Sequence, residues 1–209
     1  MQIIPGILEN NWAKIEEKLE IVKSFSNTVH IDLIDGKFAT NTTFMDPQPF
    51  LSYSGELFLE VHLMTDNPIQ YLEPFSKAGF KRFIGHVEKM PDISDFVARG
   101  QLLGEVGLAL DLSTSIDNLK ASFDNLDLIL LMGAAAGASG QQFNPQIIEK
   151  IKNLRAKTNI PIEIDGGVSD KNIIEIKNAG ANRFVTTSFL FNLQDPKVSY
   201  KTLSGLISS

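Results

Sequence analysis

The sequence predicts an α/β domain on a parallel sheet, a (β/α)₈ barrel in preference to an open doubly wound sheet. Three observations lead there. Eight short apolar or β-branched runs recur along the chain, with longer amphipathic stretches between several of them. Gly follows helical patterns just before strands, and Asn-Pro precedes others, as helix stops and starts require. The 209 residues contain no low-complexity tract and no Pro/Gly/Ser linker, so residues 1–209 are expected to form one domain. That length lies near the lower limit for closing eight β/α units, and the alternation by itself fits both sheet types.

The elements follow in order. The first strand is expected at Ile3–Leu8, followed by a helical pattern over Trp12–Phe25 with Ile15, Leu19 and Val22 on one face. Strands are expected at Thr28–Leu33 and Leu57–Leu63. A helix over Pro68–Ala78 places Tyr71, Leu72 and Phe75 together, with Asn67-Pro68 at its start and Gly79 beyond its end. Strands at Arg82–His86, Glu105–Leu110 and Leu126–Met132 lead to a helix over Pro145–Arg155, introduced by Asn144 and carrying Ile147, Ile148, Ile151 and Leu154. The last expected elements are a strand at Pro161–Asp165, a helix over Ser169–Ala179 (Ile173, Ile176, with Lys177 at the edge, then Gly180) and a strand at Arg183–Thr186.

Composition narrows the function. A net charge of −6 and a pI near 5.1 argue against a nucleic-acid partner, which needs a Lys/Arg surface. A small anion remains compatible, because backbone N–H groups at a helix start hold one phosphate whatever the global charge. The absence of Cys removes disulfides and thiolate metal sites, leaving His, Asp, Glu or carbonyl ligands. The start, MQIIPGILENNW, lacks a basic region followed by a long apolar run, and no run approaches the length of a membrane span. A cytoplasmic protein with no membrane partner is expected.

Both parallel architectures bind ligands at the carboxyl ends of their strands. His30 and Asp32, two apart on the second strand, point to one side of it. The third strand ends Glu60-Val61-His62, and the seventh ends Glu163-Ile164-Asp165. Two His and two Asp suit zinc, manganese, iron(II) or cobalt. The ordinary alternatives are a hydrogen-bonded core His and an Asp that caps the next helix. Asp35-Gly36 reads as a turn. Gly166-Gly167 and Thr186-Thr187-Ser188 follow the seventh and eighth strands, where barrels commonly hold phosphate, though each also reads as a plain turn. The loop Gly137-Ala138-Ser139-Gly140-Gln141 offers a lid, a phosphate contact or a long connection.

HIDLIDG, then VHLM, then LLM with a Gly-rich loop ending in GQ, then EIDGG, resemble in that order the ribulose-phosphate 3-epimerase family. The likeness runs from the first strand to Phe191 and includes Phe38, Asn41, Thr43-Phe44, Asn67-Pro68 and His86-Val87-Glu88. It implies a TIM barrel of the ribulose-phosphate-binding type with one divalent metal on His30, Asp32, His62 and Asp165. It further implies that Asp32 and Asp165 are the acid–base pair, that Met64 and Met132 face the substrate, and that the phosphate meets main chain around Gly140, Gly166, Gly167, Thr187 and Ser188. The implied reaction interconverts D-ribulose 5-phosphate and D-xylulose 5-phosphate in the pentose phosphate pathway, and homo-oligomers are common in the family.

Inverting a carbon beside a ketone removes a weakly acidic proton, and each pKa unit of mismatch with the base costs about 1.4 kcal/mol. A metal on the substrate oxygens stabilises the enediolate, and two carboxylates flanking its plane serve opposite faces. Several positions depart from the family pattern. The opening Pro-Ser reads Pro5-Gly6, which removes a hydroxyl near the substrate; Ile34 and Lys37 replace a Met and a His; 135–139 is rewritten; and Thr187 stands where Gly is usual. These departures motivate two alternatives: 3-epimerisation of another ketose phosphate, such as a hexulose 6-phosphate, or a catalytically silent barrel that binds sugar phosphate. Metal-dependent decarboxylation fits less well, because no Asp-x-Lys-x-x-Asp pattern is present.

Overall fold

The computed structural model describes residues 1–192 and 195–208. Eight strands close into one barrel in chain order, each parallel to its neighbours. They are β1 Gln2–Ile7, β2 Thr28–Ile34, β3 Phe58–Met64, β4 Arg82–His86, β5 Glu105–Leu110, β6 Leu128–Met132, β7 Ile162–Asp165 and β8 Arg183–Thr186. Closure, which the alternation left open, excludes the doubly wound sheet. The helices are α1 Trp12–Val22, α2 Ile69–Lys77, α3 Ile93–Gln101, α4 Ile147–Arg155, α5 Ile173–Ala179, α6 Ser188–Phe191 and α7 Pro196–Ser208. None is long and apolar enough to cross a membrane.

All four helices read from periodicity are present, with shorter ends. α1 stops at Val22 rather than Phe25, and α5 begins at Ile173 rather than Ser169. Pro68 caps α2 instead of opening it, and Asn67 takes φ +53°, a conformation Asn tolerates. Gly79 and Gly180 end their helices at φ +92° and +120°, as a left-handed stop requires. Two crossovers carry no α-helix among the described residues. The β2–β3 connection has a 3-10 segment at Gln48–Tyr53, and β5–β6 has 3-10 turns at Ile116–Asn118 and Phe123–Asn125.

The outward face of the strands packs under the helices in one continuous core that includes Ile31, Leu33, Val61, Leu63, Phe83, Leu131, Ile164 and Phe184. The barrel interior is divided. Ile84, Ala109, Leu128, Leu130 and Met132 fill the β4–β6 side with apolar volume. The other side is polar and layered. At the bottom, Arg183 donates to Glu163 (2.6 Å), Glu60 (2.6 Å) and Gln2 (2.7 Å), while Arg82 bridges Glu60 and Glu105. This ion layer supports the residues above it.

Candidate active site

Strand alternation aims His30 and Asp32 inward from β2, and His62 lies beside Asp32 in the β2–β3 register. Asp165 ends β7 opposite Met132. Each of the four offers a ligand atom, all within 4.8 Å of one another. His62 Nδ1 lies 3.0 Å from Asp32 Oδ1 and 3.4 Å from Asp165 Oδ2, and His30 Nε2 lies 3.4 Å from Asp32 Oδ1. His30 Nε2 is buried and has no hydrogen-bond partner. A buried imidazole nitrogen left unpaired is costly, so a group that takes its lone pair is called for. Two imidazoles, neutral once a cation takes their lone pairs, and two carboxylates around one point fit a divalent cation.

The opposite ring nitrogens are fixed by further residues. His30 Nδ1 is 2.9 Å from Glu60 Oε1 and 3.3 Å from Glu163 Oε1. His62 Nε2 is 2.9 Å from His86 Nε2, and His86 Nδ1 is 2.9 Å from Glu88 Oε2. With Nδ1 of His62 turned to the cluster, its Nε2–H donates to His86, whose Nδ1–H donates to Glu88; Glu88 also accepts from the Asp111 N–H at 2.7 Å. Glu60, Glu163, His86 and Glu88 received no role from the sequence. The usable signal was the two-residue step from Glu60 to His62 and from Glu163 to Asp165, which puts each pair on one side of its strand.

Protonation follows these contacts. Burial opposes charge on His30 and His62, but the carboxylates of Asp32, Glu163 and Glu60 around the first, and of Asp165 and Asp32 around the second, hold both above the usual imidazole range. Burial would raise Asp32 and Glu163. The two histidines nevertheless pull Asp32 below the usual carboxylate range, and the Arg183 charge with the His30 hydrogen bond brings Glu163 to about 2. Burial lowers His86.

Above the cluster lies a cavity lined by Asp32, Asp165, Met64, Met132, Gly140, Gly166, Gly167, Thr187 and Ser188, so every substrate-facing position read from the sequence meets there. His30 and His62 sit beneath, fully buried. Gly166 and Gly167 have φ +108° and +69°, and a Cβ on Gly167 would come within 2.5 Å of the Phe143 nitrogen. Thr187 has φ −111°, so the strain that a left-handed backbone would have imposed on it does not arise. Of the other departures, Ile34 is buried at the end of β2, and Lys37 is exposed with its N–H on Asp35 Oδ1. That Asp35 contact, with Gly36 at φ +78°, is the expected turn. The 135–141 loop is tied by the Gln141 side chain to the Ala135 and Ala138 carbonyls, and Gly137 rests on Ala39.

Residues 2–191 match the model of the ribulose-phosphate 3 epimerase family. A ribulose-phosphate 3-epimerase of Chlamydia pneumoniae is 35% identical over 197 residues, covering 90% of this chain and 86% of the relative. One from Bacillus subtilis is 30% identical over 220 residues, covering 98% and 99%. Among solved structures, 3-keto-L-gulonate-6-phosphate decarboxylase from Vibrio cholerae superimposes with a TM-score of 0.74 over 99% of this chain and 96% of that one, at 14% identity, a likeness of fold alone. The match along nearly the whole chain, together with the two identity levels, places this protein in the ribulose-phosphate 3-epimerase family.

Proposed function

We propose that the protein interconverts D-ribulose 5-phosphate and D-xylulose 5-phosphate, with Asp32 and Asp165 exchanging the C3 proton and one divalent cation held by His30, Asp32, His62 and Asp165. The observation that carries this reading is the convergence of four ligand atoms, one a buried unpaired nitrogen, directly under a cavity that both aspartates line.

Asp32 and Asp165 reach the cavity from β2 and β7, with β8 and β1 between them, so they approach a bound ketose from separate directions. Asp32, held below the ordinary carboxylate range, stands ionised at neutral pH and is able to accept a proton. Its partner returns a proton to the other face, and the two exchange roles with reaction direction. A cation held by His30, Asp32, His62 and Asp165 would supply positive charge for the negative charge that develops on the substrate. His30 and His62 move no proton in turnover; Glu60 and His86 keep their rings oriented. In the same cavity, the N–H groups of Gly167 and Ser188 anchor the phosphate without a cationic side chain, in keeping with the acidic pI.

The direct test is turnover of D-ribulose 5-phosphate by the metal-loaded protein, run in parallel with a hexulose 6-phosphate. Dialysis against a chelator is expected to abolish conversion, and zinc, manganese, cobalt or iron(II) to restore it. Retained activity in rigorously metal-free protein would contradict the cation's role. Metal binding must also displace protons from His30 and His62, whose pKa values lie above the ordinary imidazole value of 6.5. Titrating metal into the stripped protein at pH 7 is therefore expected to release protons and to show affinity that weakens as pH falls. Calorimetry in buffers of different ionisation enthalpy measures both, and proton-neutral binding would refute the ligand assignment.

A further inference from the structure

Two of the departures from the family pattern, Gly6 and Thr187, meet in space. β1 and β8 run parallel with Pro5 beside Thr186, so the next residues, Gly6 and Thr187, are neighbours at the barrel mouth. Ile3 and Ile7 face the helices, which turns Gly6 inward, and its other strand neighbour is His30. A Cβ on Gly6 would lie 2.4 Å from Thr187 Oγ1 and 2.9 Å from Val185 Cγ1. Both separations are too short for any real contact, so residue 6 carries no side chain while Thr187 and Val185 keep these positions. The Thr187 hydroxyl occupies the space that a side chain on residue 6 would otherwise fill.

Thr187 is only partly buried, lines the cavity with Asp32 and Asp165, and its hydroxyl has no hydrogen-bond partner among the described residues. Its β-branched side chain has few rotamers, and its hydroxyl lies over Gly6. A polar group held against Gly6, whose other strand neighbour is His30, and unpaired in the wall of the cavity that both carboxylates line, is placed to meet a ligand oxygen. We propose that Thr187 is a substrate-binding residue whose hydroxyl bonds an oxygen of the sugar near the proton-transfer carboxylates, and that Gly6 is the space it requires. The inference rests on the cavity being the ketose-phosphate site. It makes the two departures a single exchange: a hydroxyl missing from β1 is supplied from the end of β8.

The test is a cycle of four proteins, wild type, G6S, T187G and G6S/T187G, together with T187V, each measured by thermal unfolding and by steady-state turnover of D-ribulose 5-phosphate. T187V keeps the shape and removes the hydroxyl; its KM is expected to rise about 3–10-fold with kcat little changed, as loss of one hydrogen bond implies. G6S alone is expected to lower both Tm and kcat/KM through crowding. The double variant should recover more than the sum of the single effects allows, because serine at 6 then occupies the vacated space. An unchanged KM in T187V, or additive effects in the cycle, would overturn the inference while leaving the proposed function standing. Should wild type turn over no pentulose phosphate, calorimetric binding of ribulose 5-phosphate replaces KM: weaker binding by T187V supports the contact, whereas equal binding, or none by wild type, overturns it.

Discussion

Replacing Asp165 with Asn is expected to lower interconversion by about 10²–10⁴-fold while the protein stays folded. Asn matches the shape of Asp and retains an oxygen that faces His62, so packing at the end of β7 is preserved. What disappears is the ability to hold a proton on that side of the cavity, and part of the charge that attracts a cation. Asp32 still addresses its own face. D165N is therefore expected to exchange solvent hydrogen into one epimer only, and D32N into the other. Circular dichroism and metal content measured alongside separate loss of chemistry from loss of fold or metal. Near-normal turnover by D165N would remove Asp165 from the acid–base pair.

Glu60→Ala is expected to cost about 3–5 kcal/mol of stability, the usual penalty for removing one partner from a buried ion pair. Glu60 is fully buried and accepts from both Arg82 and Arg183 while also holding His30 Nδ1. Its removal leaves two largely buried guanidinium groups short of counter-charge. For a chain of this size the loss corresponds to a fall in Tm of about 6–20 °C. It also frees the ring of His30, so metal affinity is expected to drop about 10–100-fold. Glu105 is the built-in control. It pairs with the same Arg82 but its side chain is 43% exposed, so Glu105→Ala is expected to cost no more than about 1 kcal/mol. Equal losses for the two variants would show that the ion layer does not support the site.

Local pattern carries most of the fold and the inward direction of two residues of the candidate site. The step of two put His30 and Asp32 on one side of β2, and strand ends were read to within two residues, because apolar runs with clear edges bound them. Helix ends are less legible. Phe25 and Ser169 fit the periodic pattern but lie outside the hydrogen-bonded turns. The supporting layer was hidden for a different reason. Glu60 meets Arg183 across 123 positions, and charged residues inside a barrel look, in sequence, like charged residues on a surface. The same distance concealed the Gly6–Thr187 pair: each reads alone as a loss or a gain, and only strand pairing shows that one fills the space of the other.

Whether a cation-loaded His30–Asp32–His62–Asp165 cluster moves the C3 proton is tested most directly by solvent-deuterium incorporation into D-ribulose 5-phosphate, with and without chelator. Deuterium at C3 alone, appearing in both epimers with metal and in neither after chelation, is the predicted result. Exchange that persists in the metal-free protein, or label at a carbon other than C3, would contradict it.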